Sequence, residues 1–238
     1  MKIDFNNKKV LVTGGTRGIG RQIAEDMLKL GADVTITGRA REVDFMGVEH
    51  IQVDFLDDND TNRFIEQISN RTYDVCVNNA GINKIDSLCD IGREDWDNIM
   101  KVNLTTPFLI QQAVASNMIK QRHGKIVNIS SIWGSISISK RACYSTSKFG
   151  LRGLTLASAA ELAQFNVLVN TVSPGFTLTD LTRQVLGPEK MQEISQDIPM
   201  GRMAEPNEIS KTVLFMASDL NSYISGQNII VDGGFVNV

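Results

Sequence analysis

Three features of the 238-residue sequence predict an open α/β sheet of about seven parallel strands, doubly wound, with helices on both faces. Short β-branched runs alternate with longer amphipathic stretches, the short runs are apolar almost throughout, and no Pro/Ser-rich linker or charge block breaks the alternation. Strands that are apolar on both sides need a cover on both faces, and parallel neighbours need crossovers long enough for a helix. Those crossovers are right-handed. The same continuity makes residues 1–238 one domain.

The first strand is Val10-Leu11-Val12-Thr13, followed by a helical stretch to Leu30 and a second strand, Val34-Thr35-Ile36-Thr37. Ile51-Gln52-Val53 reads as the third strand and Val75-Cys76-Val77 as the fourth, with a helix between them. Gly38 to Ile51 leaves little more than the minimum crossover length and contains Gly47, so any helix there is short or missing. In the second half Lys125 to Ile129, Val167 to Val169 and Ile229 to Val231 read as strands. Long helical patterns surround Trp96 to Lys120 and Tyr144 to Ala163.

Composition narrows the function. Apolar residues make up 42% and charged residues 21%, an ordinary globular balance, and 24 Lys and Arg against 27 Asp and Glu give a net charge of −3. Without a strong basic field the chain is not expected to bind nucleic acid or a membrane surface. Cys76, Cys89 and Cys143 are odd in number and scattered, which points to a reducing, cytoplasmic setting. His50 and His123 stand alone, so no metal site is expected. The polar start and the lack of an 18-residue apolar run predict a soluble, unprocessed chain.

The first chemistry lies where the first strand meets the first helix, at Thr13-Gly14-Gly15-Thr16-Arg17-Gly18-Ile19-Gly20. Glycines there let the backbone turn sharply and approach a pyrophosphate, which rests on the amides and positive dipole of the helix N-terminus. At the end of the second strand an acidic residue would suit the 2′-hydroxyl of NAD, whereas arginine suits the 2′-phosphate of NADP. That strand ends Thr37-Gly38-Arg39, and Arg17 can reach the same phosphate, so NADP(H) is the expected cofactor. Asp54, and Asn78-Asn79-Ala80-Gly81, fall at the ends of the third and fourth strands, where ligands bind in open sheets. Both also admit purely local roles, as a loop carboxylate and as strand-end hydrogen bonding.

A second constellation follows the fifth strand: Ser130-Ser131, then Tyr144-Ser145-Thr146-Ser147-Lys148 opening a helix. Positions i and i+4 share a helix face, so the Tyr144 phenol and the Lys148 ammonium project together. A nearby cation favours the phenolate and moves tyrosine toward useful acid/base chemistry. A serine hydroxyl at the strand end can hydrogen-bond a substrate oxygen that gains charge during hydride transfer.

Taken together, T-G-x-x-x-G-x-G (Thr13 to Gly20), N-N-A-G (Asn78 to Gly81), Asn103, the Ser131/Tyr144/Lys148 set and Pro174-Gly175 resemble the short-chain dehydrogenase/reductase family over essentially the whole chain. The resemblance implies a Rossmann-type fold, with Tyr144 as general acid/base, Lys148 lowering its pKa and holding the nicotinamide ribose, Ser131 polarising the carbonyl and Asn103 positioning a relay water. It also implies a cofactor site built from Gly14, Thr16, Arg17, Gly18, Ile19, Gly20, Arg39, Asp54, Phe55, Asn79, Ala80, Gly81, Tyr144, Lys148, Pro174, Gly175 and Thr177. An NADP(H)-sensing or scaffolding protein is the non-enzyme alternative; it would be expected to lack Tyr144 or Lys148.

Within the family the chain resembles 3-oxoacyl-[acyl-carrier-protein] reductases, which implies a carrier-linked carbonyl substrate, with sugar and polyol dehydrogenases as the alternative. Arg122 matches a basic position of carrier-protein docking, but the second such position is Phe165. The resemblance further implies a homotetramer formed through the long helices, where Leu156-Ala157-Ser158-Ala159-Ala160 would allow close approach. Gly187 to Met203, punctuated by Pro188 and Pro199, reads as a mobile lid. Lys140 and Arg141, just before the Tyr144 helix, suggest a substrate carrying a carboxylate or phosphate.

Overall fold

Alternate residues of the central strands face opposite ways, and both faces are buried. In the computed structural model, which describes residues 2–238 apart from the side chains of Asp180, Leu181, Gln184 and Val185, Val10 and Val12 point into one apolar layer and Leu11 into the other. The strands are β1 (Lys9–Val12), β2 (Asp33–Gly38), β3 (Glu49–Gln52), β4 (Val75–Asn78), β5 (Gly124–Ile129), β6 (Val167–Pro174) and β7 (Asn228–Val231). All six pairings are parallel, in the order β3-β2-β1-β4-β5-β6-β7. The strand order reverses between β1 and β4, and the crevice at their carboxyl ends is where such sheets place ligands.

One layer is covered by α1 (Gly18–Lys29) and α7 (Pro206–Ala217), through Ile23, Met27, Ile209 and Val213. The other holds α2 (Asp58–Ser69), α4 (Thr106–Gln121) and α5 (Ala142–Leu162), through Phe64, Ile110, Met118 and Ala159. Residues 39–48 form no helix, as the crossover length implies. Val43, Phe45 and Val48 pack there instead, and Arg21 of α1 holds the loop, its guanidinium 5.0 Å from the Phe45 ring centroid and bonded to the Asp44 carbonyl.

The helical pattern around Trp96 to Lys120 is not one regular helix. It begins as α3 (Arg93–Met100), passes through a π turn at Lys101–Thr105 and continues as α4. Asn103 lies in that turn, a conformation concentrated at functional sites. The segment read as a lid belongs to a longer element. Its helix, α6 (Asp180–Asp197), starts seven residues before Gly187, kinks there at φ 69°, and is followed by Ile198 and Met203, both buried. Among the described residues no helix is long and apolar enough to cross a membrane.

Candidate active site

The β1–α1 turn is a backbone cradle. Arg17 occupies the N-cap of α1 without a side-chain cap, and the N–H groups of Gly18, Ile19 and Gly20 have no acceptor among the described residues. Such orphan donors, at the positive end of a helix, suit a pyrophosphate. Gly18 turns with φ +55°, and a Cβ on Gly20 would lie 2.3 Å from the Asn79 amide nitrogen and 2.4 Å from the Gly14 carbonyl. Asn79 donates to the Thr13 and Gly14 carbonyls at 3.0 and 3.1 Å, while the Thr13 hydroxyl accepts the N–H groups of Asn79 and Ala80, each at 3.0 Å. The N-N-A-G segment therefore clamps the glycine turn, the local role open to it in the sequence.

Arg17 and Arg39 are both exposed, and among the described residues neither side chain has a hydrogen-bond or ion-pair partner. Thr16 meets the end of β2, where a Cβ on Gly38 would fall 2.3 Å from its methyl carbon. No carboxylate follows Gly38 at the strand end; Asp33 stands at the start of β2. Asp54 is held in the turn after β3, accepting the Leu56 N–H at 3.0 Å. The Phe55 ring is buried edge-on against Phe64.

From β6 the chain continues through Pro174, and the Gly175 N–H bonds the Val231 carbonyl at 2.9 Å. Thr177 bridges to Ala204, and Leu178 and Thr179 line one small cavity with Gly18, Arg21 and Pro206. The two ends of the cradle are thus brought together from residues more than a hundred positions apart.

The chemical side is assembled on β5 and α5. Ser131 lies two residues beyond the end of β5 and its Oγ accepts the Trp133 N–H at 3.2 Å. Tyr144 is in the first turn of α5, its phenol close enough to the Ser131 hydroxyl for that group to favour the phenolate. Lys148 is only 3% exposed; its Nζ lies 5.6 Å from the Tyr144 ring centroid and donates to the Ile129 carbonyl at 2.9 Å. Burial pushes the Lys148 ammonium down to about 8. Burial also holds the Tyr144 phenol above the usual tyrosine range, partly offset by the nearby Ser131 hydroxyl and by the charge of Arg141. Arg141 is the residue that sequence reasoning left out of this acid/base group, which credited Lys148 alone.

Asn103 is fully buried and both its amide protons are engaged: Oδ1 accepts the Ile82 N–H at 2.8 Å, and Nδ2 donates to the Ile82 carbonyl and to Ser147 Oγ. A side chain on Gly81 would come within 3.3 Å of Asn103 Oδ1 and 3.6 Å of Lys148 Nζ, which places the N-N-A-G segment, the π turn and α5 around one point. Far from it, Arg122 caps α4 in the left-handed region and bonds the Gln164 carbonyl, and Phe165 packs on the core.

Comparison with known proteins identifies the family. The family described as enoyl-(acyl carrier protein) reductase matches residues 14–236. The 3-oxoacyl-[acyl-carrier-protein] reductase FabG of Aquifex aeolicus (strain VF5) is 44% identical over 98% of this chain and 99% of its own. Among solved structures, a putative NAD(P)-dependent gluconate 5-dehydrogenase from Beutenbergia cavernae with bound NADP is 32% identical, with TM-score 0.93 over 99% of each chain. A gluconate 5-dehydrogenase from Burkholderia cenocepacia J2315, in complex with NADP and tartrate, is 28% identical with TM-score 0.90 over 99% of this chain and 98% of its own. With the glycine cradle, the Ser131/Tyr144/Lys148 cluster and a match spanning nearly its whole length, the chain belongs to the short-chain dehydrogenase/reductase family of oxidoreductases.

Proposed function

We propose that this chain moves a hydride between NADP(H) and a ketone or secondary alcohol, and that its first substrate is a 3-oxoacyl group on an acyl carrier protein. The observation that carries the reading is the convergence of Ser131, Tyr144 and Lys148 beside a phosphate cradle at the carboxyl ends of the strands. The substrate class comes from the Aquifex relative.

The bound cofactor supplies or accepts the hydride. Gly18, Ile19 and Gly20 would hold its pyrophosphate, with Gly14 and Thr16 shaping the turn, and Arg17 and Arg39 would flank the 2′-phosphate. Asp54 and the Phe55 backbone would border the adenine, Asn79, Ala80 and Gly81 the adjoining ribose, and Pro174, Gly175 and Thr177 the nicotinamide. Lys148 uses one N–H on Ile129 and keeps two for ribose hydroxyls.

In the reducing direction Ser131 donates a hydrogen bond to the carbonyl oxygen as negative charge builds there, and Tyr144 gives its proton to that oxygen. The phenolate left behind is stabilised by Lys148 and Arg141. Asn103 would position a relay water; with both its amide protons engaged, that water would donate to the remaining lone pair of Oδ1 or to a main-chain carbonyl of the π turn.

The reading extends to one dinucleotide-binding domain over residues 1–238, a cytoplasmic location and a homotetramer. Phe108 of α4 and Phe149 and Leu156 of α5 are 45%, 44% and 51% exposed, which supports an interface on the long helices; Ala159 packs inward. A second reading, a dehydrogenase of sugar acids, is favoured by the tartrate held in the Burkholderia relative. Steady-state oxidation of NADPH with acetoacetyl-pantetheine thioester, a keto sugar acid and a crotonyl thioester tests the assignment. Turnover of the first supports it, turnover of the second alone favours the dehydrogenase, and turnover of the crotonyl thioester alone would overturn both.

A further inference from the structure

Arginine is seldom buried without a partner, because a desolvated charge is costly unless paired. Arg21, Arg63, Arg71, Arg93 and Arg202 each meet a carboxylate. Arg17, Arg39, Arg41, Arg152 and Arg183 are exposed, and Arg122 is exposed and bonds a backbone carbonyl. Arg141 differs from all of them: it is half-buried, and among the described residues no carboxylate pairs with it and its side chain makes no hydrogen bond.

Its surroundings lie within the active site. The guanidinium lies over the Trp133 ring, 5.7 Å from the centroid, and Trp133 is the residue whose N–H bonds Ser131 Oγ. Trp133 packs edge-on against Phe176, just after Gly175, and against Phe235 near the C-terminus. Arg141 is also the N-cap of α5, three positions before Tyr144, so the two side chains leave neighbouring positions of one helix end. Lys140 does not share this place; it is exposed, with φ 65°. The cationic pair seen in the sequence is one positioned arginine.

We propose that Arg141 binds a carboxylate that the substrate carries close to its reacting carbonyl, so that the site accepts keto acids and their hydroxy acids. The inference rests on the reading that Ser131 and Tyr144 hold a ketone. A guanidinium resting on the Trp133 face keeps its edge free for a two-point contact with a carboxylate. The anion cannot be the phosphate of a pantetheine thioester, since the whole pantetheine arm separates that phosphate from a carbonyl at Tyr144. A 3-oxoacyl thioester would use Ser131 and Tyr144 without engaging Arg141, so the keto acids are a second substrate class of the same site.

Two measurements test this on NADPH-loaded protein. The first compares kcat/KM for acetoacetate and for its neutral methyl ester in wild type, Arg141→Gln and Arg141→Lys. The second titrates malonate, which needs no turnover, into the same proteins by calorimetry. Arg141→Gln should lose about 10- to 100-fold more on the acid than on the ester, whatever it loses on both through Tyr144, and malonate should weaken by a similar factor. Arg141→Lys keeps the charge without the planar fork and should fall between; it carries the test should the glutamine variant fail to fold. An unchanged acid-to-ester ratio, or unchanged malonate affinity, overturns the proposal. Failure of wild type to reduce either ketone would sink the ketone-reductase reading instead, and malonate binding would still decide Arg141.

Discussion

The two halves of the site are built from different material. From β1 to β4 the chain offers mainly main chain, with the exposed side chains of Arg17 and Arg39 beside it: orphan N–H groups at α1, a glycine turn clamped by Asn79 and Thr13, and glycines where any side chain would collide. From β5 onward the reacting groups are side chains, Ser131, Tyr144, Lys148 and Arg141, two of them desolvated cations. A backbone cradle recognises a ligand through shape and dipoles shared by all nucleotide phosphates, whereas side-chain charges hold a proton at one atom. Binding and proton transfer should therefore be separable by mutation.

The largest effect expected is on Tyr144→Phe, which removes the proton donor while leaving the ring. Turnover should fall by about 10²-fold or more, measured as steady-state NADPH oxidation; a variant keeping a tenth of the rate would break the division of labour. Next, Gly20→Val places atoms against Asn79 and Gly14 and should lower NADPH affinity about 10-fold or more, read by fluorescence titration, while Tyr144 chemistry at saturating cofactor changes less. Unchanged affinity would mean the cradle is not where the cofactor binds.

A smaller effect tests the exposed cations. Arg17→Ala and Arg39→Ala should each reduce kcat/KM for NADPH about 10-fold and leave that for NADH nearly unchanged, because only the 2′-phosphate is lost as a partner. Equal losses with both cofactors would move these arginines away from that phosphate.

The smallest concerns stability without cofactor. Burial lowers Lys148 in the folded state from 10.5 to about 8, so between these values the unfolded chain binds more protons and stability rises with pH; below about 8 the whole cost of the buried charge is present. Lys148→Met should raise the melting temperature at pH 7 by about 2 to 6 °C while abolishing turnover. A lower melting temperature would show that the bond to the Ile129 carbonyl outweighs the desolvation.

The same contrast explains what could be read from the sequence. The cradle was legible because Gly14, Gly18 and Gly20 are required by local backbone geometry, and Tyr144 and Lys148 because four residues on one helix fix their proximity. β6 was legible only as Val167 to Val169, although it runs to Pro174, because Asn170, Thr171 and Ser173 look like a strand end. They are buried, and their side chains bond Ile224, Thr155 and Asn228. β3 shifted from Ile51–Val53 to Glu49–Gln52 because an edge strand pairs on one side and tolerates polar residues such as Glu49. The π turn left no trace in the apolar periodicity. The wall formed by Trp133, Phe176 and Phe235 could not be read at all, since its members meet only through tertiary contact.

Separability is the central claim, and titrating NADPH into Tyr144→Phe tests it most directly. The variant should bind NADPH within about threefold of the wild-type dissociation constant, because the cradle, Arg17, Arg39 and Lys148 are untouched and only a hydroxyl is gone. A loss of affinity as large as the loss of turnover would show that the phenol belongs to the binding half, and would contradict the account.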